Sequence, residues 1–171
     1  ESQIDFSAGA AGFPFQPYTL LIAKGFRPVA NDDNAYTTPE GSTLTVSNPG
    51  DTHGSGTAFD PTKGVLNNDT DQDAVANPGT PGSLTDGNQL TGEIVDLSNV
   101  THGILSLQDP ADPTGNTYIP VTGPGAQTPP AGWKGGFQYV PLTAHINGRD
   151  MFTYRVADID GRHSLVPATV T

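Results

Sequence analysis

The stretch Asp150-Met151-Phe152-Thr153-Tyr154-Arg155-Val156 decides the fold. In an extended chain successive side chains point to opposite faces, so Phe152, Tyr154 and Val156 share one face and Met151, Thr153 and Arg155 the other. The first set is apolar and aromatic and faces a core; the second meets solvent. A helix would scatter both sets around its axis, so the alternation predicts a half-buried strand.

Outward from this strand the same period recurs. Leu105 with Leu107 and Phe137 with Tyr139 form similar pairs within Gly103–Leu107 and Gly136–Val140. Further short strands are predicted at Ala35–Thr38, Thr43–Ser47, Glu93–Leu97, Thr117–Val121 and Ser164–Thr169. Turn clusters punctuate them at Asn48-Pro49-Gly50, Asn67-Asn68-Asp69, Asn147-Gly148 and Asp160-Gly161. No stretch sustains a 3.6-residue period. The 171 residues include 21 Gly and 16 Pro and are only 34% hydrophobic, a mixture that suits many short strands joined by elaborate turns. The reading is all-β, a sandwich or barrel.

The net charge of −11, with seven Lys and Arg, excludes a basic stripe and with it nucleic acid as a partner. The acids are mostly Asp; Glu occurs only at positions 1, 40 and 93. Without cysteine there is neither a disulfide framework nor a thiolate metal site. No apolar run is long enough to span a bilayer and no signal peptide is present, and the chain opens on Glu1 rather than Met, so a processed or excised product is expected.

Residues 1–27 read as an extended N-terminal arm. Ile4, Phe6 and Ala8 alternate, Ser7–Gly12 is small-residue chain, and Tyr18–Ala23 has strand propensity. From Pro28 a different pattern begins, with ordered phrases: Pro28-Val29-Ala30-Asn31-Asp32-Asp33, then Gly64-Val65-Leu66-Asn67-Asn68-Asp69-Thr70-Asp71-Gln72-Asp73, then Thr101-His102-Gly103-Ile104-Leu105. Gly135-Gly136-Phe137-Gln138-Tyr139 and Asn147-Gly148-Arg149-Asp150 through Asp158 follow, and Ala168-Thr169-Val170-Thr171 closes the chain. In this order the phrases resemble a cadherin-like, immunoglobulin-like tandem repeat of large bacterial surface adhesins. The resemblance covers residues 28–171 and implies a Greek-key β-sandwich at the cell surface, secreted, and working in cell adhesion. Residues 48–63, 74–89 and 108–134 depart from it as long loop insertions.

Asp69, Asp71 and Asp73 alternate as in the first half of an EF-hand loop, but Ala74 and Thr80 replace the glycine and bidentate glutamate that such a loop needs. A calcium completed by other segments is the sharper reading, because a divalent ion offsets the repulsion of clustered carboxylates; a solvated acidic turn is the plainer one. The family resemblance adds Asn31, Asp32 and Asp33 as junction calcium ligands, with Asp158 and Asp160 reaching from another loop; an Asx turn at each place is the alternative.

His53, His102, His145 and His163 show no metal-binding spacing, and the Thr-His-Gly phrase gives His102 a turn role. No nucleophile elbow, phosphate loop or zinc helix is present, so no enzyme activity is expected. Trp133 is either packed under its own loop or an aromatic platform for a surface glycan, as in a carbohydrate-binding module. Asn68-Asp69-Thr70 and Asn99-Val100-Thr101 match the N-glycosylation pattern, which in a bacterial protein arises by chance. The arm carries Ile4, Phe6, Leu20 and Ile22 as candidates for partner binding. Docked into a neighbouring subunit as a donor strand, it would give head-to-tail filaments; a first strand within its own domain is the alternative.

Overall fold

The computed structural model describes residues 26–47, 58–71, 90–123, 125–142, 148–158 and 161–171. Seven strands form among them: β1 (Leu44–Val46), β2 (Thr91–Asp96), β3 (Gly103–Gln108), β4 (Tyr118–Pro120), β5 (Phe137–Pro141), β6 (Phe152–Ala157) and β7 (Ala168–Val170). They build two antiparallel sheets, one ordered β1-β5-β3-β4 and the other β2-β6-β7. The all-β expectation holds, and the arrangement is sandwich-like.

The period-two pattern explains how the sheets meet. Phe152, Tyr154 and Val156 of β6 and Ala168 and Val170 of β7 are buried against Val46, Leu105, Leu107 and Phe137 of the other sheet. Phe137 and Phe152 join the layers edge to face, with ring centroids 5.9 Å apart. Trp133 is fully buried beside them, 6.5 Å from the Tyr154 ring, and its indole nitrogen donates to Gly136 O at 2.7 Å. It therefore packs under its own loop and presents no ring face to a sugar.

Two local features differ from the expectation. The segment expected as a strand at Ala35–Thr38 is instead part of a ribbon beside β7. Asp33 forms a parallel bridge to Val170, and Tyr36 N donates to Thr171 O at 3.3 Å. The amide of Thr169 goes to the Asp32 side chain at 2.8 Å, not to a backbone carbonyl, so no continuous ladder develops. Val65–Asn68 forms a short 3-10 helix, too brief to leave a period in the sequence.

That helix is held by backbone contact. Val65 N donates to Gly135 O at 3.1 Å, and a Cβ on Gly64 would lie 2.7 Å from the Gly135 carbonyl carbon and oxygen. Both neighbours are main chain and cannot swing away, which accounts for glycine in each phrase. Gly64→Ala is expected to destabilise the fold by about 1–3 kcal/mol, the usual range for overpacking; the urea midpoint checks it, and an unchanged midpoint would refute the close approach.

Candidate metal centre

Three chain segments converge on the hydroxyl of Tyr154. Val29 and Thr70 exchange hydrogen bonds of 2.8 and 3.0 Å, which fastens the start of the ribbon to the exit of the 3-10 helix. Asn31 then clamps the acidic loop: its amide donates to Asp69 Oδ1 at 2.7 Å and its side chain to Asn68 O at 2.8 Å. Asn68 returns the contact, donating through Nδ2 to Asp32 O at 3.1 Å. Alternation about Thr70 places Asp69 and Asp71 on one side of this segment. The fixed register of β7 against the ribbon brings in Asp33, whose amide donates to Thr169 O.

The result is a buried surplus of acceptors. Tyr154 Oη lies 2.7 Å from Val65 O, 3.1 Å from Asp33 Oδ2, and 3.0 and 3.1 Å from the two oxygens of Asp69. One phenolic proton cannot serve them all. Asp33 and Asp69 are 1% and 0% exposed, and among the described residues their donors are neutral: Tyr154, Asn31 and Asn68. No Lys or Arg among the described residues offsets their charge. Asn68 Oδ1 is also buried and accepts no hydrogen bond from the described residues.

Burial raises the Asp33 carboxyl to about 8, with the charge of Asp69 adding to the effect, and burial raises Asp69 to about 7. The Tyr154 hydroxyl is pushed far above its ordinary range by burial and both carboxylates. The cluster must therefore hold protons or a cation.

The other predicted ligands divide. Asp32 is exposed and spends an oxygen on the Thr169 amide. Asp158 is buried but already compensated: Arg162 donates to it from its backbone amide at 2.7 Å and its guanidinium Nε at 2.8 Å. Asp71 is buried two residues beyond Asp69. Asp73 and Asp160 lie outside the described residues, as do Ile4, Phe6, Leu20 and Ile22. The two proposed centres thus share one junction, where Asn31 and Asp33 meet Asp69. Asn68 stands directly beside Asp69 in the acidic loop, whereas Tyr154, on the core face of the deciding strand, is a member that the spacing of the acids does not point to.

A second carboxylate hub forms around Asp150. Asp150 accepts from the Thr101 amide at 3.0 Å, from Tyr139 Oη at 2.8 Å and from His102 through both its amide and Nδ1, the latter at 2.8 Å. These bonds fasten the turn before β3 to the segment before β6, a structural turn role for the Thr-His-Gly phrase.

Hard carboxylate and amide oxygens with excess negative charge fit a hard divalent cation, which takes six to eight oxygens. Asp33, Asp69 and Asn68 would supply the first of these. Among the described residues no three acidic or histidine side chains form a ready-made ligand set, so further oxygens would have to join them. No protein-family model matches the chain, and no curated protein or solved structure is detectably similar to it.

Raised carboxyl pKa values mean that the folded state holds protons which the unfolded chain has released. Without divalent cations, stability from this cluster is complete below about pH 4 and is lost as pH rises through 7 to 8. Thermal melting in chelator should show the midpoint falling across that window. Asp69→Asn should flatten the slope and raise the midpoint at pH 8; a slope unchanged by the substitution would refute the assignment.

Proposed function

We propose that this chain is an extracellular structural and adhesive module, with its sandwich stabilised by calcium at the Asp33–Asp69 centre and associating head to tail through its N-terminal arm. The observation that carries the calcium reading is the buried acceptor surplus around Tyr154, uncompensated by any cationic side chain among the described residues. A divalent ion would turn mutual repulsion of Asp33 and Asp69 into attraction and would use the orphaned Asn68 oxygen. It would also join the ribbon entering the sandwich, the acidic loop and the core strand β6 at one point. That is where a chain of modules needs stiffness.

The resemblance of residues 28–171 to cadherin-like repeats supports the same reading, including the Greek-key topology and the place at a bacterial cell surface. Self-association is supported by sheet edges. β1, β4 and β2 each pair on one side only among the described strands, and an edge accepts an added strand through main-chain hydrogen bonds.

A ligand of the native state alone raises stability by about 2.7 kcal/mol at a hundredfold excess over its Kd. For a chain of this length that corresponds to roughly 5–10 °C in melting temperature. Calcium at pH 8 should produce such a rise over chelator, magnesium a smaller one, and Asp69→Asn should abolish the response while leaving the protein folded. An identical melt in calcium and chelator would end the calcium reading.

Association is tested separately by sedimentation. Deleting residues 1–25, which spares the Arg27 and Val29 contacts, should convert assemblies to monomers. Assemblies that survive the deletion would end the arm's role.

A further inference from the structure

Four of the seven large hydrophobic side chains exposed among the described residues gather where the chain enters the fold: Phe26, Val29, Leu165 and Val166. Register brings them together. Asp33 bridges Val170 in parallel, and counting four residues back along each segment sets Val29 level with Val166. Arg27 keeps to this alignment: its guanidinium donates to His163 O at 3.1 Å and holds Phe26 close to the bend at Leu165 and Val166. Those two side chains are 72% and 71% exposed, the highest of the seven. Apolar surface gathered in this way marks a place where something docks.

The backbone limits how an occupant can bind. Val29 spends both its amide and its carbonyl on Thr70, and Pro28 has no amide, so this stretch offers no ladder to an added strand. The contact has to be made by side chains. The described chain begins at Phe26, inside the patch, and Tyr18-Thr19-Leu20-Leu21-Ile22-Ala23 precedes it across the two residues Lys24-Gly25. Those six residues carry no charge. Positions 18, 20 and 22 share a face when extended.

We propose that residues 18–23 fold back over this patch of their own chain, reversing at Lys24-Gly25 and setting Leu20 and Ile22 against Val29, Leu165 and Val166. Gly25 accepts the positive φ that a tight reversal requires. Counting outward from the reversal puts Ala23 level with Phe26 and Leu20 level with Val29, which the register already sets beside Val166. The tether selects the occupant: a segment on a short connection has an effective concentration in the millimolar range, far above that of a free partner. The fold-back narrows the part of the arm that can reach a neighbour to residues 1–17, with Ile4 and Phe6.

The test is thermal melting of the full-length protein carrying Leu165→Ser, Ile22→Ser or both, from dilute to concentrated solution. On a bare surface Leu165→Ser leaves the midpoint where it was. Beneath Ile22 it should lower the midpoint by about 3–6 °C, and Ile22→Ser should do the same. The double variant should fall by less than the sum of the two shifts, because each substitution removes the same contact. The shifts should be equal at every protein concentration. An unchanged midpoint for either single variant overturns the proposal, and so do strictly additive shifts. Shifts that vanish on dilution assign the patch to a neighbour's arm and overturn it as well. The melting result is read equally well in a monomer, so a failure of head-to-tail association does not touch it.

Discussion

The hydroxyl of Tyr154 is the point on which the rest of the structure depends. Its ring is a core residue of β6, fully buried against Trp133, while its oxygen reaches the 3-10 helix at Val65, the ribbon at Asp33 and the acidic loop at Asp69. One side chain thus ties the hydrophobic core to the polar junction where the chain enters the fold. A phenylalanine would preserve the ring packing but leave still more buried oxygen without a donor, and unsatisfied buried acceptors cost about 1–3 kcal/mol each. The aromatic ring organises the two sheets; the single proton organises everything attached to them.

The strand pattern was legible because period-two alternation is a local signal. Seven of the eight predicted strands correspond to β1–β7, with ends shifted by a few residues. The exception, at Ala35–Thr38, depended on whether β7 offered a free ladder, and a side chain, Asp32, took the amide that a strand would have used. The fate of Trp133 was likewise a matter of tertiary packing. Its position beneath β2 requires Gly92, where a Cβ would meet the indole at 2.5 Å, and nothing in the local sequence links residues 92 and 133.

The acids were legible as a class but not individually, although a finer signal was present. Asp60, Asp96 and Asp112 are each followed two residues later by Thr or Ser, and each accepts from both the backbone amide and the hydroxyl of that residue. These are Asx turns, and their hydrogen bonds hold the carboxyls below the usual range. Asp33 and Asp69 lack such a partner: Ala35 and Asp71 stand two residues on. A Thr or Ser two residues on thus marks three acids that complete their own turns, but its absence does not mark the buried ones: Asp109 is followed by Ala111 and still accepts from that residue's amide. Burial itself could not be read locally, because it arises from the pairing of Val29 with Thr70, forty-one positions apart.

The same distinction bears on why one centre is favoured over two. Asp158 was a reasonable junction ligand by position, yet Arg162 closes on it within a tight turn that also contains Gly161 at φ +75°. A guanidinium already in contact would have to be displaced before a cation could bind there, at the cost of a partly buried, charge-assisted pair. No such competitor stands at Asp33 and Asp69 among the described residues. Electrostatics alone therefore ranks the sites: the pair that repels gains most from an added positive charge, and the acid that has found its arginine gains least.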